Sequence, residues 1–313
     1  MKFYRARWRR HPSAAAALLL LLGAAAMLPA AEPVQPPARS AAEIIDAAPP
    51  EHWRRPDPDN LLLMLIGSGV VVIELAPQFA PEHVANIRTL ARERFWDGAS
   101  IYRVEDNFVA QFGDPDSDDE ARAKPLGGAK RRLPAEFERP AQGLSFDRLP
   151  DVDGWAPEVG FVDGFPAGRA PRENRVWLAH CYGMVGAARG TAPDSSTGAE
   201  LYVVIGQAPR HLDRNMTVVG RVLMGMELLS ALPRGQGASG FYEDPSRRTP
   251  IRAVRLASEA PASALPKLEV LRTDSSTFRE ATEARRNRSD PFFTRPAGHI
   301  DLCNVPVPVR VAR

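Results

Sequence analysis

Two short apolar runs constrain this chain more than any other feature. Residues 61–66 (LLLMLI) and 70–75 (VVVIEL) are separated only by Gly67-Ser68-Gly69. β-Branched residues dominate the second run, and a glycine-bounded gap between two such runs signals a hairpin. Strand-like runs recur at 176–188, interrupted at Tyr182-Gly183, and at 201–205, 217–223 and 251–256. Between residues 60 and 257, helical period is confined to two segments. Residues 80–94 place Val84, Ile87, Leu90 and Ala91 on one side, with Pro81 in the first turn and Glu82 complementing its positive end. Residues 224–232 place Met226, Leu229 and Leu232 on one side. The 30 prolines argue against an all-helical fold, because proline inside a helix removes a hydrogen bond and clashes with the preceding turn. Many short strands with two helices predict a mainly β domain over residues 60–257, a barrel or sandwich capped by helices.

The flanks have a different character. Lys2, Arg5, Arg7, Arg9 and Arg10 precede an apolar run at about 14–28, followed by small residues up to residue 31, which is the pattern of an export signal peptide. The run is about 15 residues, short of the ~20 a membrane span needs, and an uncleaved membrane anchor is the alternative. The expected location is outside the cytoplasm, in the periplasm. Residues 32–59 are rich in Pro and Ala and read as a linker. Residues 141–175 read as a long irregular insertion near the middle of the domain. Its apolar residues, among them Trp155, Val159, Phe161 and Phe165, suit packing on the surface. Residues 258–313 read as an irregular C-terminal extension with a strand at 265–271, a helix at 275–288 and an extended end at 305–311. In an oxidising compartment Cys181 and Cys303 either form one disulfide, tying the tail to the middle of the chain, or remain buried thiols.

The usual machinery for bond cleavage is missing. There is no Gly-x-Ser-x-Gly, His-Glu-x-x-His or Gly-x-x-x-x-Gly-Lys, and the six histidines lack metal-ligand spacing. The acidic residues Asp114, Asp116, Asp118, Asp119 and Glu120 lack the glycine and terminal glutamate of a calcium loop and read as a solvated loop. A net charge of +2, with scattered arginines, makes no case for nucleic-acid binding.

Residues 101–114 (IYRVEDNFVAQFGD) carry a different inventory. In an extended segment Arg103 would share a face with Ile101, and a bend at Glu105-Asp106-Asn107 would bring Phe108 and Gln111 round to it. A guanidinium, an aromatic wall and an amide, with no nucleophile, suit a site that orients and polarises its substrate.

Further blocks accompany this stretch in a fixed order. Val70-Val71-Val72-Ile73-Glu74-Leu75 is followed by Ala80-Pro81 and Val84-Ala85-Asn86-Ile87. Phe95-Trp96-Asp97-Gly98 leads into Ile101-Tyr102-Arg103-Val104 and Asn107-Phe108-Val109-Ala110-Gln111. Glu136-Phe137, Gly183-Met184-Val185-Gly186-Ala187-Ala188-Arg189, Gly198-Ala199-Glu200-Leu201-Tyr202-Val203, Leu212-Asp213 and Thr217-Val218-Val219-Gly220-Arg221-Val222 come next. In this order and spacing the chain resembles the cyclophilin-type peptidyl-prolyl cis-trans isomerases. The resemblance implies a closed eight-stranded antiparallel barrel capped by two helices, an active groove on its outer face, no cofactor, and proline-containing polypeptides as substrates.

The resemblance also implies residue roles. Arg103 matches the catalytic arginine, and Gln111 the glutamine that holds the peptide backbone. Phe108 and Tyr202 match the aromatics of the proline pocket, Leu212 an aliphatic wall, and Val109 stands where methionine is usual. Ala188 and Gly190 match small residues that let the peptide approach. Several positions depart from the family pattern. Glu200 replaces a glutamine and brings a carboxylate for Arg103 to pair with. Tyr202 falls at the last position of a Gly-Ser-Gln-Phe-Phe block. Arg189 stands at a usual asparagine, His211 near the tryptophan, and Met216 at the histidine.

The chemistry agrees with the inventory. Rotation about X–Pro is opposed by a barrier of ~18–20 kcal/mol that comes from amide resonance. A guanidinium hydrogen-bonded to the prolyl nitrogen as it turns pyramidal weakens that resonance in the transition state only. The expectation is an exported, monomeric prolyl isomerase that assists folding. A cyclophilin-like binding or chaperone module with little catalysis is the alternative, and an envelope scaffold a third reading.

Overall fold

The computed structural model describes residues 39–312, apart from 68, 118, 120, 262–266 and 291. The proposed signal peptide and the start of the proposed linker therefore lie outside the described residues. In chain order the elements are α1 (Ala41–Asp46), β1 (Trp53–Arg54), β2 (Leu61–Ile66), β3 (Gly69–Leu75), α2 (Pro81–Arg92), β4 (Ser100–Val104) and β5 (Val109–Gly113). Then come β6 (Arg139–Pro140), β7 (Asp147–Arg148), β8 (Glu158–Val162), β9 (Phe165–Ala170), β10 (Arg175–Leu178), β11 (Met184–Ala187), β12 (Leu201–Val204) and β13 (Thr217–Met224). The chain ends with α3 (Met226–Ser230), β14 (Thr249–Leu256), β15 (Leu268–Leu271), α4 (Ser276–Arg286) and β16 (Val309–Val311). No helix among the described residues is long and apolar enough to cross a membrane.

Eight strands close into an antiparallel barrel in the order β11-β12-β5-β4-β14-β2-β3-β13. The expected hairpin is β2–β3, paired from Leu61↔Glu74 to Ile66↔Gly69. Period-2 alternation sends Leu62, Met64, Ile66, Val71, Ile73 and Leu75 into the barrel core. Leu61, Leu63 and Val72 point the other way and are also buried, against Ala257 and Leu268 of the C-terminal region. A strand buried on both faces has no polar alternation to display, which is why residues 61–66 read as an unbroken apolar run.

The two expected capping helices are α2 and α3, which add Val84, Ile87, Leu90, Ala91 and Leu229 to the same core. No side chain of its own first turn caps α2. The distant Glu136 does so instead, accepting from the amides of Glu82 (2.9 Å) and His83 (3.0 Å) and from the His83 ring (2.7 Å). Burial alone would raise its pKa; the His83 ring and these amides outweigh that and hold it below the usual carboxylate range. Asn86, also on α2, clamps two loops through the carbonyls of Lys130 and Thr197. Glu136 and Asn86 are thus block residues with structural work.

Two regions read as irregular carry regular structure. Residues 141–175 were expected to be irregular; with their neighbours they form a five-stranded antiparallel sheet in the order β6-β10-β9-β8-β7. The residues read as linker hold α1 and β1, and β1 joins β15 and β16 in a third sheet. In the C-terminal extension the expected strand, helix and extended end are present as β15, α4 and β16. These pieces share one core, in which Trp53, Phe161, Phe165, Trp177, Phe278 and Leu302 come together from distant parts of the chain. Phe161 meets Phe278 edge to face at 5.1 Å. In β9, Pro166 and Gly168 break any strand pattern, yet Gly168 is required where it stands. A Cβ on Gly168 would lie 2.6 Å from the Trp177 ring that packs over it.

Two devices join this second core to the barrel. Glu74 of β3 sits buried between Arg54 (2.6 Å) and Arg221 (3.0 Å), and Arg54 also reaches Asp163 (3.1 Å). A disulfide joins Cys181, just ahead of β11, to Cys303 in the C-terminal segment.

Candidate active site on the outer barrel face

The site begins with an irregularity in β4. Its pairing with β5 shifts between Ile101↔Phe112 and Arg103↔Gln111. A bulge of this kind adds a residue to one strand and re-aims the side chains beyond it. As a result Ile101 and Val104 both face the barrel core, and Arg103 points outward. The expectation that Arg103 shares a face with Ile101 is therefore incorrect, because simple alternation does not survive the bulge. The expected bend follows: Phe108 donates its amide to the Glu105 carbonyl at 3.2 Å, and Asn107 takes a left-handed φ of 54°.

Strand register then lays out a row across four strands. Arg103 on β4 lies opposite Gln111 on β5, Gln111 opposite Tyr202 on β12, and Tyr202 opposite Gly186 on β11. Gly186 provides the floor on which the Tyr202 ring rests; a Cβ there would come within 2.2 Å of that ring. Phe108 closes one side, its ring centroid 5.6 Å from the Arg103 guanidinium carbon.

Arg103 is held from several directions. Its Nε donates to the Ser239 carbonyl at 2.7 Å, and one Nη to Gln111 Oε1 at 2.9 Å. The other Nη is bonded to the Glu105 carboxylate. The Phe241 ring lies 5.5 Å from the guanidinium carbon and stacks on Tyr102 at 6.0 Å. A guanidinium has five N–H donors, so each Nη keeps one N–H without a partner among the described residues. The side chain remains 17% exposed, enough to be reached from solvent.

Glu200 was expected to pair with Arg103. The carboxylate that meets Arg103 is Glu105, and Glu200 is reached indirectly. Gln111 Nε2 donates to the Tyr102 hydroxyl at 2.7 Å, and that hydroxyl donates to Glu200 at 2.7 Å. The second Glu200 oxygen accepts from the Asp114 amide at 2.7 Å. Gln111, Ala188, Arg189, Gly190 and Glu200 line one cleft of about 350 Å3 with Tyr102 and Phe241. The Ala188 amide is engaged with the Glu200 carbonyl at 2.8 Å. The Arg189 guanidinium is a brace, donating to the carbonyls of Gly190, Thr191 and Asn215.

The remaining predicted residues are more scattered. Val109 is buried, paired with Val204. His211, Leu212 and Met216 lie on the turn between β12 and β13, outside that cleft; His211 is exposed and the other two are half-buried. Tyr202 is buried, and burial with the nearby Asp213 charge pushes its hydroxyl pKa well above the ordinary value, so it keeps its proton. Among the described residues no group of three His, Cys, Asp or Glu side chains is arranged to hold a metal ion.

Sequence reasoning missed Glu105, Ser239 and Phe241 as site residues, and gave Tyr102 no role. Glu105 lay inside the stretch already singled out, two positions from Arg103. Nothing local marks Phe241. It comes from the loop between α3 and β14, 138 positions from Arg103, and reaches the site through one isolated bridge, Arg103↔Phe241.

Comparisons with known proteins bear on this geometry. A family model described as "Cyclophilin type peptidyl-prolyl cis-trans isomerase/CLD" matches residues 61–256. A "Probable peptidyl-prolyl cis-trans isomerase" of Brucella suis is 28% identical over 192 residues, covering 61% of this chain and 81% of that protein. The human "Peptidyl-prolyl cis-trans isomerase-like 1" is 32% identical over 69 residues, 22% of this chain and 39% of that protein. Among solved structures, cyclophilin AquaCyp293 from Hirschia baltica superposes with a TM-score of 0.65 at 28% identity, covering 83% of this chain and 94% of its own.

Proposed function

This chain belongs to the cyclophilin-type peptidyl-prolyl cis-trans isomerases, and from that premise we propose that Arg103 is the group that drives the bond rotation. The substrate is a proline-containing polypeptide lying across the row Arg103–Gln111–Tyr202. The prolyl ring rests against Phe108 and Tyr202, and the Gln111 amide holds the peptide backbone. As the prolyl nitrogen turns pyramidal, an Arg103 Nη–H donates to its emerging lone pair. That bond forms only when amide resonance is lost, so it lowers the barrier without tightening the ground state. The observation that carries this reading is the guanidinium itself. Three acceptors and two rings fix it in place, and each Nη still has an N–H to offer.

One observation favours a second reading, a binding module with little catalysis. The Glu105 carboxylate on Arg103 draws on the same positive charge the mechanism uses. Exchange of a short X–Pro peptide, followed in wild type and in Arg103→Ala, separates the two. Loss of one electrostatic donor of this kind lowers turnover by roughly 10²–10³-fold. A wild type no faster than the uncatalysed rate would support the binding module, and an unimpaired variant would remove Arg103 from the mechanism.

The setting we propose is outside the cytoplasm, where the enzyme assists folding of exported proteins. The basic start and apolar run before residue 31 support this, as does the pairing of Cys181 with Cys303. Fractionation of cells expressing the full chain tests it, and recovery with the cytosolic fraction would overturn it.

A further inference from the structure

Tyr202 carries a hydroxyl that a wall against a prolyl ring does not need. The hydroxyl opens a buried ladder of side chains. His180 Nε2 lies 3.0 Å from it, with the two rings stacked at 6.2 Å and 10°. His180 Nδ1 lies 2.9 Å from Asp213 Oδ1, which also accepts the His180 amide. Arg210 Nε donates to the other Asp213 oxygen at 2.6 Å. The two Nη atoms of Arg210 then reach Asp153 at 3.0 and 3.2 Å. Asp153 is itself fixed by the amides of Trp155 and Ala156.

Every side chain of the ladder is buried. The Arg210 and Asp153 side chains are 3% and 2% exposed. The ladder also has a direction. With Asp213 ionised, His180 Nδ1 donates to it and Nε2 faces the Tyr202 hydroxyl, so both ring nitrogens have a partner. Its two ends belong to different parts of the molecule. Tyr202 lies on β12 in the catalytic row, and Asp153 lies in the β7–β8 loop of the second sheet. Apolar residues of the same volume would stabilise such an interior at least as well as buried charges do. What the ladder adds is orientation: with Gly186 beneath the ring and His180 bonded to its hydroxyl end, the ring planes within 10° of each other, the hydroxyl bond fixes the Tyr202 ring in its own plane.

We propose that the second sheet positions the wall of the prolyl pocket through this ladder, so that Asp153 and Arg210 are positioning residues for the isomerase reaction. The proposal rests on the reading of Tyr202 as that wall. Stability alone does not test it, because a buried pair destabilises the fold when broken whatever else it does.

A double-mutant cycle on kcat/KM does test it. In the wild-type background Asp153→Asn is expected to lower kcat/KM about fivefold, within the coupling range of residues in one network. In a Tyr202→Phe background, where the ladder no longer reaches the ring, the same substitution is expected to change kcat/KM less than about 1.5-fold. Equal losses in both backgrounds, or no loss in either, would overturn the proposal. If Asp153→Asn fails to fold, Arg210→Lys keeps the charge, loses the two-pronged contact and enters the same cycle with the same expectations. Tyr202→Ala examines the underlying reading separately: unchanged kcat/KM there removes Tyr202 from the pocket, whereas an additive cycle removes only the ladder.

Discussion

Glu200 reaches Arg103 through two other side chains, the amide of Gln111 and the hydroxyl of Tyr102, in a run of bonds of 2.9, 2.7 and 2.7 Å. Each bond donates toward the carboxylate, from guanidinium to amide to phenol. The Glu200 carboxylate in the cleft is therefore separated from the Arg103 guanidinium by neutral groups, and the direct counter-charge is Glu105.

That arrangement makes Glu105 the residue that tempers Arg103. Gln111 and Ser239 hold the guanidinium from other sides, so Glu105→Gln leaves its orientation intact and removes the opposing charge. Coulomb attraction between partly exposed groups is modest, and the expected gain in kcat/KM is about two- to threefold at low salt. The gain should disappear at about 1 M salt, where the screening length is ~3 Å. A loss of activity would mean that Glu105 orients Arg103.

Phe241 contributes through its face. It is 45% exposed, so Phe241→Ala removes little from the core, but it uncovers one side of Arg103 and of Tyr102. A cation–π contact at such a site is worth about 0.5–1 kcal/mol, which corresponds to a two- to fivefold loss in kcat/KM if the contact persists in the transition state. Thermal unfolding should shift little. A large fall in Tm with full activity would place Phe241 in the scaffold and outside the site.

The Glu74 junction predicts both a stability loss and an acid response. Glu74→Gln leaves Arg54 and Arg221 buried around a neutral amide, and removing one partner of a buried charge cluster costs about 3–5 kcal/mol. Burial alone would raise the pKa values of Glu74 and Asp213. The arginines around Glu74, and His180 with Arg210 around Asp213, outweigh burial and hold both below the usual range. The unfolded chain then binds more protons than the native one. The stabilisation is fully present above ordinary carboxylate values of about 3.9–4.3 and is lost as pH falls through the lower native values. Urea unfolding at a series of pH values should show this acid fall in wild type and a shallower one in Glu74→Gln. An identical pH slope in the two proteins would contradict the assignment.

The disulfide closes a long loop, Cys181 and Cys303 being 122 positions apart. Cross-links of that span typically contribute 2–5 kcal/mol, so Cys303→Ser should lower Tm by several degrees. Arg103 and Gln111 take their places from barrel register, and the ladder that orients Tyr202 does not run through the disulfide, so kcat/KM at 25 °C should hold in the variant. Mass measured with and without reductant checks the bond in wild type, and two free thiols in the purified protein would contradict it.

How far the sequence could be read depended on the range of the interactions. The β2–β3 hairpin and α2 were legible because neighbouring residues carry their period. Arg103 and Gln111 were legible as partners because they lie on adjacent strands joined by a short turn. The second sheet was not. Two of its strands have only two residues, another contains proline and glycine, and what holds it is a core gathered from Trp53, Phe161, Trp177, Phe278 and Leu302. These residues lie in separate segments of the chain, and the local pattern of one segment does not announce the others.

Residues 101–114 carried the inventory of the proposed site in the sequence itself: a cation, an aromatic and an amide without a nucleophile, which suits polarisation of a substrate. The orientation of those groups was decided by the tertiary structure. A bulge turned Arg103 away from Ile101, Phe241 and Glu105 closed around it, and His180, Asp213, Arg210 and Asp153 tied Tyr202 to the second sheet. Side-chain chemistry is local and can be read one residue at a time, whereas direction, charge balance and support come from residues that only folding brings within a few ångströms.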